Sequence, residues 1–582
     1  MAAFGPAVVA LDGGDPRLSV DPGEPPSYTT AAGRDLGRLA HDPSVTIEEY
    51  FYWAKLSRKE EEAMIAPSHP WGEALGLKKS KQVSANTSAE DVATDEKNPK
   101  VESPGSSVQQ SPIGDGEWHQ AQRAARTAGW SAMFYLITTD ILGPFSVPWA
   151  LSQMGYGEGI TLYTVFGVLA FVAGFYIYQM FLALDSTKYP MKNFGDIAYR
   201  TMGPWARHGS NFLQSLQLLF NVGVIIIGNA QGLWQINSNI CYIVCAVIWA
   251  VCGMLVGQIR TLHRFQWIAN FAVWLNVTVM IMTMAVVASS APDYEAANGQ
   301  SNVPIDPPAP VHTSGTRPDG SALTDQIVGL MQAVYSYGGA MLYCEFMSEM
   351  RRPMDFWKAI VCAECFIYGC YLFFGVFVYS YQGQYTINPA NQGMSLRGAQ
   401  VAGNILSLLS ALLAAALYGN IGIKVIYQNC LKEWFGFPDI TSKTGKYLWV
   451  GIVPIYWALA FILAAAIPNF SALSGLVAAL CIMQFTYTFP PILKVAMDVQ
   501  RDAMRDGEGF DPATGQTIRH DNGWRRWVRG FFAKRWYINI LNVIFFLGAL
   551  VTMVLGVYSA IVSMIDSYKH SKATAFGCHP LL

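Results

Sequence analysis

From residue 127 onward the chain alternates long apolar runs with short polar connections, whereas apolar positions before it are sparse. Crossing the hydrocarbon as a helix takes about 20 mostly apolar residues. Eleven runs are long enough: about 127–153, 159–183, 209–235, 239–258, 264–289, 326–347, 357–381, 399–424, 447–467, 471–497 and 538–565. Helices are expected because every backbone polar group in lipid must bond within its own segment. The runs are too long and too uniformly apolar for barrel strands, which alternate over about 10 residues. The pattern therefore predicts an all-α polytopic membrane protein with a transmembrane domain over 127–565.

Residues 1–126 form a separate, cytosolic tail. Stretches 1–44 and 80–116 are rich in Pro, Gly, Ser and acids, which predicts disorder. Between them, Thr46-Ile47-Glu48-Glu49 reads as a capping box, and Ile47, Tyr50, Phe51 and Ala54 follow at helical spacing. One short amphipathic helix is expected near 46–64, either docked on the rest of the protein or acting as a regulatory latch or membrane-surface contact. Met1-Ala2-Ala3-Phe4 opens without a basic segment, and Asp12 interrupts the apolar stretch that follows, so no secretory signal is read there.

Orientation follows from Lys and Arg. With the N-terminus in the cytosol, the inward connections hold 22 basic residues and the outward side only Arg317, Arg397, Lys569 and Lys572. That bias places the N-terminus inside and the tail 566–582 outside. It also supports eleven spans, because one missed or extra span would invert every later connection.

Composition agrees. The 582 residues are 52% apolar and only 14% charged, against about 25% charged in soluble domains. A net charge of -2 excludes a nucleic-acid binder with a globally basic surface. Cys241, Cys245, Cys252, Cys344, Cys362, Cys365, Cys370 and Cys481 lie in or beside spans and read as small packing residues. Cys362-x-x-Cys365 lacks a second pair, no His falls inside a span and no Walker loop is present. No metal site and no cofactor are expected, nor a nucleotide-driven pump.

The informative feature is a pair of interrupted spans at matching places in two halves, the best sequence pointer to a secondary-transporter site. Span 1 reads Thr139-Asp140-Ile141-Leu142-Gly143-Pro144-Phe145-Ser146-Val147-Pro148. Pro144 cannot donate a backbone hydrogen bond and disfavours helical geometry at Gly143. Span 6 reads Tyr335-Ser336-Tyr337-Gly338-Gly339, where adjacent glycines weaken the helix. Spans 1–5 and 6–10 then form a 5+5 inverted repeat with discontinuous helices 1 and 6, and span 11 is an addition. An unwound stretch exposes backbone N–H and C=O groups inside a cavity. The N–H groups at a half-helix start suit a carboxylate, and free carbonyls suit an ammonium or a cation. A zwitterionic amino acid needs both.

Candidate substrate-binding residues are Thr139, Asp140, Ile141, Leu142 and Gly143 in span 1, Asn221 in span 3, and Tyr335, Ser336, Tyr337, Gly338 and Gly339 in span 6. Asp140 is the sharpest: a carboxylate near mid-membrane must face a cavity, pair, or take up a proton. It reads as a proton carrier or ammonium partner, or else as a neutral side chain bonded to loose backbone. Glu345 and Glu364 are further coupling candidates, or interhelical bonds, and Asn404, Ser407 and Ser410 line up polar oxygens along span 8. Asn221 and Asn276 are central and polar, and each also reads as a bridge between helices.

Several runs resemble the amino acid/auxin permease family, in its fungal neutral amino acid permease branch. Ile141 through Leu151 resembles that family's Gly-x-Leu-x-Leu-Pro signature at Gly143 and Pro148, and departs from it at Pro144, Phe145 and Val147. Glu345-Phe346-Met347-Ser348-Glu349-Met350-Arg351-Arg352-Pro353-Met354-Asp355-Phe356-Trp357-Lys358-Ala359 resembles a second block, and Ile467 through Val477 a third. The tail run His41 through Tyr50 is similar to the fungal branch in particular. The resemblance implies an inverted-repeat transporter with substrate between spans 1, 3, 6 and 8, and proton-coupled uptake. It carries over the backbone role of Gly143 and the break at Gly338 and Gly339.

The expected function is a secondary active transporter of neutral or aromatic amino acids, coupled to protons, with sodium as the second choice. Its partners are an amino acid substrate and the lipid bilayer. The plasma membrane is the first reading of location. The alternatives are a vacuolar exporter of the same fold and a non-transporting nutrient receptor that signals through the tail.

Overall fold

The computed structural model describes residues 42–63, 126, 128–259, 266–300, 310–318, 322–432, 435–438, 442–467, 469–570 and 576–578. The disorder expected over 1–44 and 80–116 falls outside these residues apart from 42–44, and Arg260 and Arg264 fall outside them too. Among the described residues, eight helical stretches are long and apolar enough to cross a membrane.

In chain order the helices are α1 (Ile47–Ala63), α2 (Trp130–Ile141), α3 (Val147–Leu184), α4 (Phe194–Met202), α5 (Pro204–Ile236), α6 (Tyr242–Gly257), α7 (Gln266–Ser289), α8 (Tyr294–Gln300), α9 (Leu323–Ser336), α10 (Tyr343–Glu349), α11 (Phe356–Gln382), α12 (Arg397–Ile426), α13 (Lys443–Ala466), α14 (Phe470–Val477), α15 (Phe489–Asp502), α16 (Trp524–Phe531) and α17 (Trp536–His570). Between α15 and α16 lies an antiparallel hairpin, β1 (Gly509–Asp511) with β2 (Gln516–Ile518), in which Phe510 faces Thr517.

α3 is not one straight rod. Gly155 has φ 79°, and a Cβ there would come within 2.2 Å of the Thr316 carbonyl oxygen. Only glycine combines that backbone with that approach, so the helix is broken there into two pieces.

The helices pack as two sets. In one, α3 lies against α9 and α11, and α11 also covers α2. In the other, α5 lies against α6, α12 and α13. α7 touches α12 of one set and α2 and α11 of the other. The stretch from Phe470 to Asp502 is the most enclosed, with 78% of its apolar window buried. α17 is the most peripheral, with 17% buried, and presents Leu541, Ile544, Leu547, Val551 and Val554 outward.

Cys241 departs from the packing role read from the sequence. It forms a disulfide with Cys578, 337 residues away, and the Tyr242 N–H donates to the Cys578 carbonyl at 2.9 Å. Cys578 lies beyond the last apolar run, so the hydrophobic pattern carries no sign of this pairing.

The tail helix α1 lies between two connections of the membrane body. Glu48 pairs with Arg519 at 2.5 Å and Arg526 at 3.0 Å, and Tyr52 and Trp53 meet Phe510 of the hairpin. On its other side Glu49 pairs with Lys188, Arg58 with Asp185, and Arg200 stacks over Tyr50.

Candidate functional site

Both interrupted spans are broken where the sequence places the weak points. α2 ends at Ile141. Leu142 leaves helical geometry at ψ 93°, and Gly143, at φ -144° and ψ 72°, is neither helical nor extended. Pro144 then opens a 3-10 turn, Pro144–Ser146, that leads into α3. A proline at a first helical position loses nothing, because that N–H has no intrahelical partner. In span 6, α9 ends at Ser336, and Tyr337, Gly338 and Gly339 lead to a 3-10 turn, Ala340–Leu342, before α10.

The two breaks touch. A Cβ on Gly339 would lie 2.5 Å from the Ile141 side chain and 3.1 Å from Asp140 Oδ2. Glycine is needed there for close approach rather than for an unusual φ. The Tyr371 hydroxyl of α11 joins both breaks: it lies 2.5 Å from the Ile141 carbonyl oxygen, 2.8 Å from the Ser336 carbonyl oxygen, and accepts from the Gly143 N–H at 3.4 Å. Its ring meets Tyr337 edge-on with centroids 5.4 Å apart. Asn276 of α7 donates to the Leu142 carbonyl at 3.4 Å. Gly143 is exposed, Thr139, Asp140 and Tyr335 are half-buried, and a Cβ on Gly143 would meet nothing nearer than a carbonyl oxygen at 3.9 Å.

Asp140 faces the second helix set. Tyr418 of α12 donates to its Oδ1 at 2.6 Å. An ionised carboxylate only accepts hydrogen bonds, whereas a protonated one also donates. The Asp140 carboxyl is thus joined to the other helix set through Tyr418. The Thr139 and Ser336 hydroxyls donate to the Tyr135 and Gln332 carbonyls within their own helices, so these two residues offer the site backbone groups more than free hydroxyls.

The remaining candidates lie in other contacts. Glu345 on α10 accepts from Gln214 of α5 at 3.0 Å, and Glu364 on α11 accepts from Tyr343 at 3.1 Å. Asn404 donates to Gln235 at 2.9 Å and to the Gly232 carbonyl, and Ser407 accepts from Asn391. These two belong to an amide cluster with Gln392 and Gln400, not to the Asp140 bond. Ser410 is buried on α12. Asn221 is buried on α5, and its Oδ1 has no hydrogen-bond partner among the described residues.

Tyr371 and Tyr418 escape sequence reasoning. A lone tyrosine in an apolar run looks like any other core aromatic. Only the fold brings one to the breaks and the other to Asp140.

Residues 126–500 match the family model described as transmembrane amino acid transporter protein. The chain is similar to the N amino acid transport system protein of Neurospora crassa, 22% identical over 463 residues that cover 78% of this chain and 88% of that protein. It is also similar to transmembrane transporters of Gibberella moniliformis, 26% identical over 284 residues, and Fusarium pseudograminearum, 25% identical over 307 residues. Those two matches cover 48% and 50% of this chain, and 56% and 59% of the relatives.

Proposed function

The chain belongs to the transmembrane amino acid transporter family, and from that premise we propose that it is a proton-coupled secondary transporter of neutral or aromatic amino acids. The observation that carries this reading is the pair of breaks at Leu142-Gly143 and Tyr337-Gly338-Gly339, held side by side and open at Gly143. The α-carboxylate is received by backbone N–H groups at the span-1 break, and the α-ammonium by carbonyls of both breaks. Tyr335, Tyr337 and Phe145 offer apolar surface to the side chain. The name of the Neurospora relative, an amino acid transport protein, favours the same substrate class.

In this reading the chain crosses eleven times: the longest of the eight long stretches is divided at Gly155, and α6 and the broken pair α9 and α10 are added to them. The first ten form the inverted repeat, and α17 is the addition at the rim. Alternating access is motion of the α2, α3, α9 and α11 set against the α5, α6, α12 and α13 set around the midplane site. Asp140 is the coupling residue: protonation changes its bond to Tyr418, which spans the two sets. The N-terminus is cytosolic and the plasma membrane is the location.

The test is uptake of labelled L-alanine, L-leucine and L-phenylalanine into proteoliposomes with and without an inward proton gradient. Accumulation above the external concentration only with the gradient supports the reading. Equilibration that ignores the gradient removes proton coupling, and no uptake by folded protein removes transport of these substrates.

A further inference from the structure

The Tyr371 hydroxyl sits where the reading above puts the backbone of an amino acid, and its bonding there is incomplete. Two carbonyls, Ile141 and Ser336, lie 2.5 and 2.8 Å from one phenol oxygen. A phenol has a single proton, so it cannot satisfy both. The Gly143 N–H reaches the same oxygen at 3.4 Å, the long end of the hydrogen-bond range. An α-ammonium carries three protons and serves two carbonyls at once. A carboxylate accepts from an N–H through a shorter, charge-assisted bond. A zwitterion is therefore a better partner for these three backbone groups than Tyr371 is.

We propose that Tyr371 is a place-holder for the substrate: its hydroxyl occupies the backbone groups of both breaks in the empty transporter and yields them to the α-ammonium and α-carboxylate of an incoming amino acid. This rests on the amino acid reading of the site. The physical need for such a group is plain, since unwound backbone in a membrane site costs free energy when unpaired. An empty carrier that must change sides would otherwise carry that cost in every cycle. Tyr371 is fully buried and lies against Tyr337 of the span-6 break, so substrate entry and phenol displacement are registered at the same element. Gly143, in contrast, is exposed, which gives the substrate a first contact before the phenol leaves.

The place-holder competes with substrate, so removing its hydroxyl strengthens substrate binding. A residue that merely braces the site does the opposite. Tyr371→Phe is expected to lower the KM for the panel member that wild type takes up best by about three- to tenfold, the range that the net strength of one hydrogen bond implies. Its turnover in net uptake falls, because the empty carrier has lost its internal partner, while exchange of internal for external substrate is spared. An unchanged or raised KM in folded Tyr371→Phe overturns the proposal while leaving amino acid transport standing. Absence of uptake by folded wild type for L-alanine, L-leucine and L-phenylalanine overturns instead the neutral-or-aromatic substrate reading on which the proposal rests. Should the variant not fold, 3-fluorotyrosine at position 371 of otherwise unaltered protein gives the answer by fluorine NMR. A shift of its resonance on saturation with the transported amino acid supports displacement, and an unmoved resonance overturns it.

Discussion

The hydrogen that replaces a side chain at Gly339 decides how near two helices come. A methyl group there would meet Ile141 at 2.5 Å, inside any real carbon–carbon contact, with Asp140 Oδ2 next at 3.1 Å. Gly339→Ala therefore separates the breaks, and overpacking of this kind costs about 1–3 kcal/mol. Uptake is expected to fall at least about tenfold, a ~1.4 kcal/mol effect on the transport barrier, while the protein still folds. Gly143→Ala is the matched comparison, since its Cβ meets only a carbonyl oxygen at 3.9 Å. Thermal melting of the two variants checks the packing claim: Gly339→Ala melts lower, and Gly143→Ala stays near wild type.

Among the elements, α1 is held by charge as much as by apolar contact. Its buried Glu61 lies 2.9 Å from Arg58, which also pairs with Asp185, itself paired with Arg126 at 2.8 Å. Burial pushes the Glu61 carboxyl up to about 7, against the pull of Arg58. A carboxyl raised on docking binds its proton more tightly in the docked state. Docking is thus most stable at low pH and loses stability as pH rises from the ordinary Glu range to about 7. Hydrogen exchange over Ile47–Ala63 is expected to quicken across that window beyond its intrinsic pH dependence, and Glu61→Gln is expected to flatten the excess. Equal excess in both proteins removes Glu61 as the cause.

How much of this was legible in the sequence differs from element to element. The breaks were readable because proline and paired glycine act locally on the backbone, and Pro144 and Gly338-Gly339 are visible without any fold. The break at Gly155 was readable only as a gap between two runs. The partners were not readable. Glu48 meets Arg519 and Arg526 across more than 470 residues, and Tyr371 reaches Ile141 across 230. Periodicity says which face of a helix is apolar, but not which distant residue covers it. Asn404 and Ser407 illustrate the limit: their spacing along α12 is legible, whereas their partners Gln235 and Asn391 are set by the fold.

At the scale of the whole molecule, the Cys241–Cys578 disulfide joins the α5–α6 connection to the end of the chain. With the N-terminus in the cytosol both ends lie on the extracytosolic face, where disulfides persist. A membrane-impermeant reductant added to the extracytosolic side of sealed vesicles is expected to free two thiols for an impermeant maleimide reagent. Labelling that requires the cytosolic side to be opened would reverse the orientation.

At the level of the breaks Tyr418 of one helix set donates to Asp140 of the other, and proton coupling through that pair is what drives uptake in the proposed cycle. Asp140→Asn keeps the shape of the side chain and removes its titration. Gradient-driven accumulation and substrate exchange are to be measured side by side in proteoliposomes holding wild type or this variant. Exchange is expected to persist in Asp140→Asn, and accumulation driven by an inward proton gradient to be lost. Accumulation by the variant to the wild-type level would contradict that coupling.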